Sequence, residues 1–205
     1  LHGRLHRMMG HRATASMGAV VAHHQAPLGQ VIRHLRGAEK KAKGKGERDA
    51  FHISLLKRSG GAVELTCPWL VRAPGGRGDW NAGLATDLQT TPMGQLIRLR
   101  DRFAEDTFSR RAAYLTQGWL PHARDPAALR AMLGYQFRRQ GVGADAGTLA
   151  TLGESLAELA CTVCPSAPGE LVEAFLGVAE FLGREGRSGR GRSNRQTALG
   201  KESSA

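Results

Sequence analysis

Five cations crowd one short stretch of this chain: Lys40, Lys41, Lys43, Lys45 and Arg48. They fall where an apolar-periodic helix runs into a Lys- and Gly-rich end and then into a β-like segment. Ammonium and guanidinium groups make charge-assisted hydrogen bonds to phosphate oxygens, so the chemistry they suit is the grip on a nucleotide triphosphate. A helix C-terminus carries partial negative charge and favours one or two cations by itself; five exceed that need. The sequence Gly-x-x-x-x-Gly-Lys-Ser/Thr is absent, so the grip is not that of a P-loop.

The other reactive side chains compose no full catalytic set. His23 and His24 are adjacent, and adjacent side chains on a strand point to opposite faces, so they are not expected to share a metal. His34, His52 and His122 are scattered. Cys161 and Cys164 form a lone C-x-x-C that closes an apparent helix before Pro165. A zinc site needs four ligands, and a thioredoxin-like pair opens a helix, so both read as small buried apolar residues. With Cys67 the count is odd, which argues against a disulfide framework. Carboxylates are dispersed, with no acidic pair on a hairpin for two-metal phosphoryl transfer. A Gly-x-Ser-x-Gly elbow is also missing.

The elements that must position the cations can be read from periodicity. Leu1, Leu5, Met8 and Met9 suggest the end of a helix over residues 1–11. Residues 13–24 are small, apolar and β-like, as in a strand covered on both faces. Pro27 opens a helix in which Leu28, Val31, Ile32, Leu35, Ala38 and Ala42 share one side. Gly44 and Gly46 stop it. Phe51, Ile53 and Leu55 alternate with His52 and Ser54, and residues 59–61 (Ser-Gly-Gly) turn the chain into a return strand through Val63 and Leu65.

After a Gly-rich stretch the pattern becomes helical. Leu96, Leu99 and Phe103 mark one helix, and Asp125 and Pro126 cap and open a second through Leu129, Leu133 and Phe137. Leu149, Leu152, Leu156 and Leu159 mark a third, and Leu171, Phe175, Val178 and Leu182 a fourth, which suggests a small bundle. From Gly183 onward the chain is Arg-, Gly- and Ser-rich and reads as disordered.

The formal net charge of +11 over 205 residues points to a polyanionic partner such as nucleic acid or nucleotide. No apolar run reaches membrane-spanning length. The start has neither a signal-peptide core nor an initiator Met, so it reads as the interior of something larger, in the cytoplasm.

Thr14, Ser16 and Gly18, the helix opened by Pro27 and Leu28, then Ala42, Lys43, Gly46, Arg48, Asp49 and a β-hairpin resemble the second half of a GGDEF/polymerase-type palm. The match is closer to the large, polymerase/cyclase-like subunit of type III CRISPR effectors, of the Cmr type. Residues 22–28 (Ala-His-His-Gln-Ala-Pro-Leu), 38–43 (Ala-Glu-Lys-Lys-Ala-Lys), 48–51 (Arg-Asp-Ala-Phe) and 56–60 (Leu-Lys-Arg-Ser-Gly) carry it, within the first third of the chain. The helical remainder resembles that family's C-terminal helical domain.

The resemblance implies an α+β fold: a partial palm, with an antiparallel sheet and helices, followed by a small all-α bundle. Residues 1–71 would be the C-terminal half of the palm, 72–91 a linker, 92–183 the bundle and 184–205 a disordered basic tail. In that family two palms sandwich two ATP molecules and make cyclic oligoadenylate when the complex binds target RNA. Lys43 matches the palm lysine near the triphosphate, with Lys40 and Arg48 as helpers, and Ser16 matches the strand serine beside the nucleotide.

The family's metal-binding Gly-Gly-Asp-Asp hairpin, its first palm and any HD nuclease domain are missing here. The resemblance therefore implies ATP as ligand, Mg²⁺ or Mn²⁺ only with the missing part, and no catalysis by this chain alone, as in a truncated or split product. Implied partners are the other effector subunits, crRNA and target RNA, with no membrane. The alternatives are a non-catalytic basic scaffold along the crRNA–protein filament and a remnant of a diguanylate cyclase.

Overall fold

The computed structural model describes residues 14–44, 48–58, 60–71, 91–105, 107–141 and 146–202, with side chains as far as Glu185. Strand β1 (Met17–Val21) leads into helix α1 (Leu28–Gly44), and strands β2 (Ala50–Leu56) and β3 (Ala62–Pro68) form a hairpin. Helices α2 (Pro92–Ala104), α3 (Arg111–Leu115), α4 (Pro126–Gln140), α5 (Ala146–Val163) and α6 (Pro168–Glu202) follow, with a 3₁₀ turn at Leu120–His122. The expected helix over residues 1–11 and the Gly-rich stretch 72–90 lie outside the described residues.

The sheet is mixed, which corrects the antiparallel expectation. Its order is β1-β2-β3, with β1 parallel to β2 and β2 antiparallel to β3. The cause is the helix between β1 and β2: a helical crossover carries the chain back to the end where it started, and only then does the next strand begin. In the hairpin, Gly60 and Gly61 take φ of 90° and 79°, a region that glycine enters without a Cβ clash.

Alternation sorts the sheet residues. Phe51, Ile53, Leu55, Leu65 and Cys67 face the helices and share one apolar core with Phe103, Leu133, Leu156 and Phe175. Gly18, His52 and Ser54 lie on the other face, under α1, where Ala38 and Ala42 are buried. Gly18 has a specific reason to be glycine: a Cβ there would lie 2.5 Å from the Glu39 backbone nitrogen. The strand and helix backbones are that close.

The bundle follows its sequence signals. Asp125 caps α4 by accepting from Ala128 N at 2.9 Å, and Thr91 caps α2 by accepting from Gly94 N at 3.1 Å. Each supplies one of the acceptors that a helix start lacks. The tail expected to be disordered from residue 184 instead continues α6 to Glu202. No proline interrupts it, and extending a helix already nucleated by packing costs little. Gly183, read as the end of the bundle, is a contact point instead: a Cβ there would meet Arg100 O and Phe103 Cβ at 2.8 Å.

Candidate functional site

The crossover sets the geography. It places the last turn of α1 at the amino ends of β1 and β2, so Ser16, Lys40, Lys43 and Arg48 all belong to one end of the sheet. Trp69 and Asp49 tie that end together. Trp69 Nε1 donates to Ala15 O at 2.8 Å, Trp69 N donates to Asp49 O at 3.2 Å, and Ala15 N donates to Asp49 Oδ1 at 3.4 Å. Beside this knot the Ser16 hydroxyl is buried and has no hydrogen-bond partner among the described residues. A buried hydroxyl without a partner is costly.

The cations around it are not equivalent. Lys43 is exposed and ion-paired with Glu39 one turn earlier on α1, and that ammonium holds the Glu39 carboxyl below its ordinary range. Lys41 reaches across the sheet face to Glu64 on β3. Lys40 is exposed. Arg48, also exposed, adopts φ 65°, the left-handed conformation, just before β2. Lys45 lies outside the described residues. Of the five cations, the structure brings Lys41 and Lys43 onto carboxylates of the chain itself.

A polar seam runs beneath α1. His52 is 1 % exposed and Ser54 2 % exposed. His52 Nδ1 lies 2.6 Å from Thr66 Oγ1 and Nε2 lies 3.0 Å from Ser54 Oγ, while Ser54 Oγ donates to Glu64 Oε1 at 3.5 Å. Lys41 completes the seam at the surface, and its hydrogen bond to Glu64 holds that carboxyl below its usual range. A serine beside a histidine suggests a nucleophile and its base. Here both side chains are buried and helix α1 covers the pair, so the seam serves to hold the helix to the sheet.

A large cavity lies at the opposite end, where β1 and β2 terminate. It measures about 970 Å³ and lies between the β2–β3 hairpin, helix α6 and α3. Val21, Leu55 and Val63 supply apolar wall, while Lys57, Arg58 and Arg184 bring cations to it. Two carboxylates also line it. Glu180 lies 3.9 Å from Arg110, and Glu185 lies 3.3 Å from Arg184. His23 and His24 stand at its edge with ring centroids 4.2 Å apart. The expectation that they point to opposite faces fails because β1 ends at Val21, and both fall in the turn that follows.

Sequence reasoning passed over this second end. Lys57 and Arg58 counted only as residues of the resemblance, and Arg184 only as part of a tail. The available signal was the order strand–helix–strand, which implies a parallel pair whose carboxyl ends face a crevice. Among the described residues no three His, Cys, Asp or Glu side chains gather as a metal-binding group. None of the helices there is long and apolar enough to cross a membrane. Burial raises the thiol pKa of both Cys67 and Cys161, as befits side chains packed in or against the core.

Compared with protein-family models, curated proteins and solved structures, the chain matches none of them.

Proposed function

We propose that this chain contributes the phosphate-binding side of an ATP site, together with a helical scaffold surface, to the large subunit of a Cmr-type type III CRISPR effector. The observation that carries the reading is the Ser16 hydroxyl, buried and without a partner at the sheet end that also receives Lys40, Lys43 and Arg48. An orphaned polar group beside a basic helix end suits a surface that a ligand or a further protein part completes. The β1–α1–β2–β3 order also suits the second half of a palm.

On this reading the partners are the other effector subunits, crRNA and target RNA, in the cytoplasm. Mg²⁺ or Mn²⁺ would belong to the part that bears the Gly-Gly-Asp-Asp hairpin. The chain alone binds nucleotide and does not turn it over. Calorimetric titration with ATP tests the site. Lys43→Ala should weaken binding about tenfold or more, since a lost charge-assisted hydrogen bond is worth about 1.5–3 kcal/mol. Equal affinity in wild type and variant would refute it. Incubation with ATP and either metal should yield no oligoadenylate.

One observation favours a second reading, a basic scaffold with no nucleotide of its own. Lys41 and Lys43 are already paired with Glu64 and Glu39, which lowers the charge left for a ligand. Under that reading ATP binds neither wild type nor variant.

A further inference from the structure

We propose that the cavity at the carboxyl ends of β1 and β2 is a separate site for a nucleotide unit, a phosphate carried beside an aromatic base. It lies at the end of the sheet opposite Ser16 and Lys43 and does not depend on the reading given above.

Charge is the first support. Lys57 and Arg58 have no ion-pair partner among the described residues, although both line the cavity. The two carboxylates in the wall are matched within the chain, Glu180 by Arg110 and Glu185 by Arg184. The charge left uncompensated is therefore positive and belongs to Lys57 and Arg58. Exposed cations held at the mouth of a crevice attract a polyvalent anion.

Preorganisation is the second. Lys57 N donates to Gly61 O at 3.1 Å, and Gly60 N donates to Lys57 O at 3.1 Å. The turn made possible by the two glycines thus fixes the backbone from which Lys57 and Arg58 project. Arg184 is held as well, with its guanidinium carbon 4.9 Å from the centroid of the Phe181 ring. A guanidinium placed in advance loses less freedom when it meets a phosphate.

Shape is the third. A cavity of about 970 Å³ stands at the upper end of the range of about 300–1,000 Å³ for small-ligand pockets. Inorganic phosphate would leave its Val21 and Val63 walls in water. A ligand with a flat apolar body as well as an anionic group covers them. Tyr114, 60 % exposed at the rim, offers a ring for a base to stack on. Its place beyond the carboxyl ends of parallel strands is where ligands of open α/β sheets bind.

The phosphate can belong to a free nucleotide or to a single strand of RNA, and the test separates them. Calorimetric titrations of the full chain use ATP and, separately, a five-nucleotide oligoadenylate. Saturable binding is expected for at least one probe. Lys57→Ala combined with Arg58→Ala should weaken it about tenfold or more, and Tyr114→Ala should weaken it severalfold. All three side chains are exposed, so the variants should keep the wild-type circular dichroism and melting curve. Binding of ATP assigns a free nucleotide, and binding of oligoadenylate alone assigns an RNA strand. A loss of binding that follows Lys43→Ala and not the double variant supports only the site near Ser16 and overturns this one. Binding of neither probe, or binding indifferent to the double variant, also overturns it.

Discussion

Lys41 and Lys43 are two positions apart in the sequence and answer to different carboxylates. The partner of Lys43 is one turn away on the same helix, whereas that of Lys41 is 23 residues on, across the sheet. Counting cations reveals a basic cluster; only the fold reveals which of them are already engaged. The Lys41–Glu64 pair has a definite pH signature. Its folded-state carboxyl pKa is lower than the ordinary 4.5, so the stabilisation is fully present above that value and is lost as pH falls through the folded pKa. Glu64→Gln should therefore lower Tm at pH 7 and should cease to differ from wild type in strong acid. Both side chains are substantially exposed, 40 % each, so with solvent screening the effect stays below about 1 kcal/mol. Thermal melts of both proteins from pH 7 down to pH 3 check the sign; a difference that grew on acidification would contradict it.

At the scale of elements, α1 and the β2–β3 hairpin were legible because each has a strong local code. The helix has a 3.6-residue apolar period and the hairpin has two glycines at its turn. What local code cannot state is the direction in which strands pair. Alternation assigns faces, and the parallel β1–β2 pair follows only from the crossover. The apolar stripe of α1 is only partly a packing face. Leu28, Ile32 and Leu35 are exposed, and the helix touches the sheet through Ala38 and Ala42. Small residues make that contact because the two backbones nearly touch at Gly18. Gly18→Ala therefore forces β1 and α1 apart at Glu39. It should cost about 1–3 kcal/mol, the usual penalty of overpacking, measured by urea denaturation. An unchanged midpoint would mean that the helix slides aside freely.

For the molecule as a whole, the sequence suggested a half-palm and a bundle as separate units. The inner face of the sheet shares one core with α2, α4, α5 and α6. A single core predicts a single transition. Trp69 stands on the sheet side and Trp119 beside the helical part, both packed against that core. Variants that retain one of these tryptophans at a time should give the same denaturation midpoint by fluorescence and by circular dichroism. Phe175→Ala, which removes a fully buried ring from the shared core, should cost about 3–5 kcal/mol and shift both midpoints together. Two separated transitions would show that the halves fold independently. The site at the carboxyl ends of β1 and β2 escaped the sequence for the same reason. Lys57, Tyr114 and Arg184 are far apart along the chain, and only packing of α6 on the sheet brings them to one cavity.

The Ser54 hydroxyl has one proton and two neighbours, Glu64 Oε1 at 3.5 Å and His52 Nε2 at 3.0 Å. A proton given to Glu64 leaves the hydroxyl to accept from Nε2, with the Thr66 hydroxyl donating to Nδ1; a proton given to Nε2 reverses both roles. Through one serine, an ammonium–carboxylate contact at the protein surface is linked to an imidazole that water does not reach.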